Sequence, residues 1–281
     1  MKKTKAFLKL TRLGHGLFLA LAVLIGQLVT QGNFPSLNII ILSIITPIAI
    51  SSGAFAINDY MDYETDKENE RKDRPLISGE INRKTALYLS IILIPVGIIS
   101  SAYINTASLI IAIIFSGISY AYSIYLKKIA LIGNIFIAAS MTIPFIFGSL
   151  NVSNTIPVSI WVLSTMAFLS GTGREIVKSI QDMEGDLEQG RKTLPIKIGE
   201  NPSKYIATSL ILLAIFISPY PYLNVSGYIG SDIYLAAVAI ANLAFFTSLY
   251  TLFKEKNYDS FRRETYIAMG IGLIAFLLPV L

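Results

Sequence analysis

The chain has no cysteine, and His15 is its only histidine. Disulfides, thiolate metal sites and cysteine nucleophiles are therefore excluded, and a lone histidine at the edge of an apolar run reads as structural rather than catalytic. Charge is scarce too: Asp, Glu, Lys and Arg make up 15% of the 281 residues, against 53% hydrophobic. With the apolar residues gathered in long runs, that balance describes an all-α polytopic membrane protein instead of one or two soluble domains.

Nine runs are long enough to cross a hydrocarbon core roughly 30 Å thick as helices. They lie near 14–32, 37–60, 84–104, 106–126, 130–150, 156–178, 203–222, 232–252 and 264–281. Residues 1–281 are expected to form a single transmembrane domain. Lys and Arg are missing from one whole set of turns. Of the 23 basic residues, five precede run one, six fall at the turn between runs two and three, two between four and five, six between six and seven, and four between eight and nine. The positive-inside rule makes that basic side cytoplasmic in a multi-pass cell-membrane protein. The net charge of +5 is then a topology signal that also attracts anionic headgroups, and nucleic acid is not needed as a partner.

The opposite face carries aromatic turn chemistry, as in SPYPYLNVSGYIGSDIY (Ser218 to Tyr234), which suits an interfacial belt, as does Trp161 near the start of run six. The N-terminal MKKTKAFLKLTRLGHGLF alternates basic and apolar residues as a helix lying on the membrane would. No small-residue cleavage site follows, so no removed signal peptide is expected.

Against this poverty of charge stand two dense acidic and basic stretches, DYETDKENERKDRPLISGE (Asp62 to Glu80) and DMEGDLEQGRKTLPIKIGE (Asp182 to Glu200). Nine of their nineteen positions coincide in register, among them Asp62/Asp182, Asp66/Asp186, Arg71/Arg191, Lys72/Lys192 and Gly79/Gly199. Each follows an even-numbered run that descends to the cytoplasmic face, so an internal repeat relates runs two and six and their loops. An ionisable group at the bilayer centre costs roughly 2.5 to 3.5 kcal/mol, which explains why the carboxylates gather at helix ends.

Spacing then groups the donors. Asn58, Asp62 and Asp66 recur every four residues, with Asp59 beside them, and residues i and i+4 share a helix face. Arg174, Lys178, Asp182 and Asp186 do the same on run six. Stacked carboxylates repel unless a cation lies between them. Carboxylates with an amide oxygen, and no His or Cys nearby, are hard-oxygen ligands of the kind Mg²⁺ takes, with water and phosphate completing its octahedron. Arg71, Lys72, Arg74, Arg174, Lys178, Arg191 and Lys192 are placed to meet the remaining charge of a diphosphate.

These residues resemble the UbiA-type intramembrane prenyltransferases. The family's NxxxDxxxD signature is met by Asn58, Asp62 and Asp66 in NDYMDYETD, followed by RPLxSG at Arg74 to Gly79. Its second, DxxxD, is met by Asp182 and Asp186, and a weaker element by Tyr122 and Lys127 in AYSIYLKK, with Gly133 and Asn134 beyond. The resemblance covers essentially the whole chain. It implies transfer of a prenyl group from a prenyl diphosphate to a lipophilic acceptor, with two Mg²⁺ held between facing carboxylate rows. Diphosphate is a poor leaving group until its charge is neutralised, and the resulting allylic cation needs a site that excludes water. Tyr122 is placed to stabilise that cation through its ring or to contact phosphate through its hydroxyl.

A transporter is the main non-enzyme alternative, but its coupling carboxylates belong near the midplane on broken helices. A CDP-alcohol phosphotransferase would show DGxxAR, which is missing. Within the family, DMEGD followed by Gly and Leu-Pro looks most like the branch that contains both enzymes of archaeal-type ether-lipid synthesis and chlorophyll synthases. Cations left over once a diphosphate and two Mg²⁺ balance four Asp, among them Arg71, Lys72, Lys127, Arg174 and Lys178, favour a phosphorylated acceptor, so the expectation is geranylgeranyl diphosphate as donor and the free hydroxyl of geranylgeranylglyceryl phosphate as acceptor. A quinone precursor or a chlorophyllide is the alternative acceptor.

Overall fold

The structure, a computed structural model, describes residues 2–126, 129, 132–188, 190 and 192–281. It is built from helices, and no strand occurs among the described residues. In chain order these are α1 (Lys2–Thr11), α2 (Leu13–Gln31), α3 (Leu37–Met61), α4 (Tyr63–Glu68), α5 (Arg83–Ala102), α6 (Thr106–Ile124) and α7 (Ile132–Val152). They continue as α8 (Val158–Gln181), α9 (Met183–Glu188), α10 (Leu194–Ile198), α11 (Glu200–Ile217), α12 (Tyr220–Asn224), α13 (Asp232–Tyr250), a π-helical turn at Thr251–Glu255, and α14 (Tyr258–Leu277).

By length and composition, seven of the described helices are long and apolar enough to cross a membrane, among them α3, α5, α6 and α7. The chain is a multi-pass membrane protein. Predicted runs six and nine coincide with α8 and α14, which are 24 and 20 residues long but lie outside those seven. The reason is charge: α8 carries Arg174, Glu175 and Lys178 in its last two turns, and α14 starts six residues earlier than predicted, adding Asp259, Arg262 and Arg263 to Glu264.

The chain divides into two compact units. The first holds α1, α3, α4, α5 and α6, with the start of α2 and the last residues of α7. Its centre is α3, which packs on α5 and α6. Gly97 sets the approach of α3 and α5: a Cβ there would stand 2.5 Å from Ile50 Cγ1 and 2.9 Å from the Thr46 carbonyl oxygen. Small residues allow such contacts where no hydrophobic drive brings helices together in lipid. α6 buries a face of Ser108, Ala112, Ser116, Ser119 and Ser123. The caps are local: Asn82 accepts from the Lys84 amide and Asn105 from the Ser108 amide. Asn105 also donates to the Leu150 carbonyl at 2.8 Å, and Asn151 links Ser108 (2.7 Å) to Ser43 (2.8 Å).

α1 packs against α3 through Ala6 and Leu10, the latter in a cluster with Ala56, Leu76 and Ala86, while Phe7 and Leu8 stay exposed. The predicted surface helix is thus fastened to the protein along one face.

The second unit holds the rest of α2, most of α7, and α8 to α14. α8 packs on α11 and α14, and α13 on α14. Ile176, Val177, Ala207, Ile211, Phe245, Leu252 and Phe261 form its core. The stretch predicted as an aromatic belt behaves differently here. Tyr228 and Tyr234 are buried in a ring cluster with Phe276, their hydroxyls donating to the carbonyls of Phe276 (2.7 Å) and Ser218 (2.8 Å). A phenol satisfied in this way packs better than it floats at an interface. Tyr220 and Trp161 are exposed.

Candidate functional site

The first acidic row lies at the end of α3. The helix stops at Met61, yet the Asp62 amide donates to the Asn58 carbonyl at 2.9 Å and the Asp66 amide to the Asp62 carbonyl at 2.8 Å. The i to i−4 bonding therefore runs across the break into α4, and Asn58, Asp62 and Asp66 keep one face. Asn58 Nδ2 donates to Asp62 Oδ2 at 3.0 Å, so the predicted pair is in contact.

The second row repeats the local geometry inside its own unit. α8 stops at Gln181, the Asp182 amide donates to the Lys178 carbonyl at 3.0 Å, and the Asp186 amide to the Asp182 carbonyl at 2.9 Å. Asp182 is exposed and Asp186 is buried. Downstream, Gly79 and Gly199 take φ of 74° and 90°, a region open to glycine at little cost, which accounts for glycine at that register in both stretches.

The basic candidates divide. Arg74 Nη1 donates to Asp59 Oδ1 at 2.8 Å, and its Nε stands 3.8 Å from Asp66 Oδ2. Arg74 thereby ties the buried Asp59 to the row. Asp59 is 3% exposed, and a charge at that depth requires partners. Its second partner is Arg12 Nη2 at 3.4 Å, a guanidinium that also covers the Phe55 ring at 4.3 Å. Burial pushes the Asp66 carboxyl above the usual carboxylate range, with Arg74 opposing the shift and Asp62 adding to it. Arg71 turns to its neighbour Asp73, at 3.0 Å, and that bond holds the Asp73 carboxyl below the usual range. Lys72 and Lys192 are exposed.

Arg174 is 3% exposed and bonds Glu175 Oε1 at 2.6 Å, its guanidinium 3.6 Å from the centre of the Tyr266 ring on α14. Lys178 lies 3.9 Å from Glu175 Oε2. Asn134 braces this turn, donating to the Glu175 carbonyl at 3.0 Å and to Ser179 at 2.9 Å. Tyr122 is half-buried near the end of α6; Lys127 and Arg191 lie outside the described residues.

Sequence reasoning passed over Arg12, Arg83 and Glu175. Arg83 bonds Glu64 at 2.9 Å and covers the Tyr60 and Tyr63 rings. Arg12 stands 47 positions from Asp59, beyond any local spacing rule. Glu175 had a signal, an acid set next to Arg174 inside an apolar run.

The donor set fits Mg²⁺: carboxylate and amide oxygens without sulfur or imidazole. Among the described residues no three carboxylate or histidine side chains gather closely enough to hold an ion by themselves. A metal held here would take its remaining ligands from water and substrate phosphate, as Mg²⁺ usually does.

A multi-pass helical membrane protein with two acid-rich helix ends is the class that the fold defines. Residues 19–275 match the UbiA prenyltransferase family, and the chain belongs to that family, which makes it a prenyltransferase. It is 35% identical to the digeranylgeranylglyceryl phosphate synthase of Archaeoglobus fulgidus, over 98% of this chain and 97% of that one. A solved structure of a digeranylgeranylglyceryl phosphate synthase superposes with a TM-score of 0.84 at 33% identity, covering 100% and 99% of the two chains. A UbiA homologue from Archaeoglobus fulgidus bound to DMAPP and Mg²⁺ shares the fold at a TM-score of 0.70 and 19% identity, covering 96% and 98%.

Proposed function

We propose that the protein transfers a geranylgeranyl group from geranylgeranyl diphosphate to the free hydroxyl of geranylgeranylglyceryl phosphate, forming the second ether bond of an archaeal-type membrane lipid. The observation that carries this reading is the full-length likeness, at 35% identity, to a relative named for that product. Asn58, Asp62, Asp66, Asp182 and Asp186 are the ligands of the metal, two ions serving one diphosphate. Bound Mg²⁺ supplies charge neutralisation of the leaving diphosphate.

The chain's own residues do the rest. Arg74 holds Asp66 and Asp59 in place; Lys72, Lys127, Arg191 and Lys192 meet diphosphate charge, and Tyr122 faces the allylic carbon. The C–O bond to diphosphate breaks, the acceptor oxygen bonds to that carbon, and the hydroxyl proton passes to the released diphosphate or to water. Arg174 and Lys178 serve the acceptor's phosphate, whereas Arg71 serves Asp73.

The reading extends to the whole chain as one functional domain, with α8 and α14 crossing the membrane beside the other seven. The α3–α4 and α8–α9 stretches act as repeats, both on the cytoplasmic side. An acceptor panel with geranylgeranyl diphosphate and Mg²⁺ tests it. Geranylgeranylglyceryl phosphate should be prenylated at least about tenfold faster than its dephosphorylated alcohol. Equal use of both, or efficient prenylation of 4-hydroxybenzoate or a chlorophyllide instead, would overturn the assignment.

A further inference from the structure

A second gathering of cations lies between α8 and α14, inside the second unit. Arg174 is eight residues before Asp182, about 12 Å along a helix axis, and it lines a wide-mouthed cavity of about 390 Å³ with Asp259, Arg262, Arg263, Tyr266 and Ile267. Three arginines face one carboxylate. That carboxylate is engaged: Asp259 Oδ1 accepts from Gln181 Nε2 at 2.9 Å and stands 3.8 Å from Arg262 Nη1, which donates to Gln181 Oε1 at 2.9 Å.

Two donors of the lining arginines are left over. Nε of Arg174 and Nε of Arg262 are both buried without a hydrogen-bond acceptor, although the Arg174 side chain is only 3% exposed and its Nη1 is taken by Glu175. Arg263 is exposed and has no ion pair among the described residues. Buried donors without acceptors are rare in folded proteins and call for a partner. The guanidinium fork matches the oxygens of a phosphate better than a single water does. Beside the arginines, Tyr266 and Ile267 are 51% and 54% exposed, an apolar wall for whatever carries the anion.

We propose that this cavity is an anion site, distinct from the Asp182 and Asp186 carboxylates, that takes the phosphomonoester head of an amphiphile. Arg174 and Arg262 grip the phosphate, Arg263 supplies the free charge at the mouth, and Tyr266 and Ile267 receive the apolar stem. Since Arg174 is the residue assigned above to the acceptor's phosphate, the acceptor is the expected occupant, and to that extent the inference rests on the proposed reaction.

The test uses the full-length protein in phosphatidylcholine nanodiscs, with dioleoylphosphatidate as probe and dioleoylglycerol as control. Wild type should retain the phosphatidate, and Arg262→Gln/Arg263→Gln should bind it about tenfold more weakly with no change toward the glycerol. A matching rise of about tenfold in KM for geranylgeranylglyceryl phosphate, with the donor KM within about twofold, makes the acceptor the occupant. An unchanged acceptor KM, with phosphatidate binding still weakened, makes it a membrane phospholipid and removes Arg174 from the acceptor's phosphate. Displacement by millimolar inorganic phosphate shows that the phosphate group alone suffices. Equal phosphatidate binding by wild type and variant overturns the proposal and leaves the arginines to water. Should the double variant fail to insert, Arg263→Gln, at an exposed position, carries the same comparison. Because the phosphatidate reading needs no turnover, it decides the cavity even if the acceptor assignment fails.

Discussion

Asp59 shows how one residue can sit in a signature and yet serve it from behind. It lies next to the Asn58 face, but its carboxylate is buried and spent on Arg74 and Arg12. Removing it would take the shared counter-ion from two partly exposed guanidinium groups, Arg74 keeping Asp66 at 3.8 Å, at a cost of about 1 to 3 kcal/mol. Asp59→Ala should therefore lower the melting temperature in detergent, whereas Asp62→Asn should leave melting close to wild type and lower turnover roughly a hundredfold or more. The reverse pattern would exchange their roles. The Asn58, Asp62 and Asp66 face was legible in the sequence because i and i+4 is a local rule. The Arg12 partnership was not, since 47 residues separate the two charges and only the docking of α1 on α3 brings them together.

At the scale of the element, the apolar runs were legible because a span must satisfy its backbone internally and so reads as an uninterrupted helix. The breaks at Asp62 and Asp182 were not, since the four-residue period continues across both. Nor was the burial of Tyr228 and Tyr234, because turn residues beside an aromatic suit a belt and a buried cluster equally well until Phe276 arrives from α14. Packing of α3 on α5 yields a sharper expectation. Both added Cβ atoms would meet an isoleucine Cγ1 first, Ile50 at 2.5 Å from Gly97 and Ile94 at 2.7 Å from Gly53, but backbone stands at 2.9 Å from Gly97, the Thr46 carbonyl, and at 3.3 Å from Gly53, the Ile94 amide. Gly97→Ala should cost about 1 to 3 kcal/mol and Gly53→Ala distinctly less, read as thermal melting in the same detergent. Equal effects would mean that the helices slide apart at little cost.

For the whole molecule, the absence of cysteine makes single-cysteine labelling clean. Asn69→Cys and Glu188→Cys should react from one side of the membrane and Ser226→Cys from the other; labelling of the first two from opposite sides would end the proposal of a common cytoplasmic face. The central claim is that both acidic stretches act on one magnesium diphosphate. Its most direct measurement is Mg²⁺-dependent binding of geranylgeranyl diphosphate to wild type, Asp66→Asn and Asp186→Asn, each in nanodiscs. Wild-type binding should vanish on chelation, and each variant alone should lose about tenfold or more in affinity. Full magnesium-dependent binding by either variant would contradict the account.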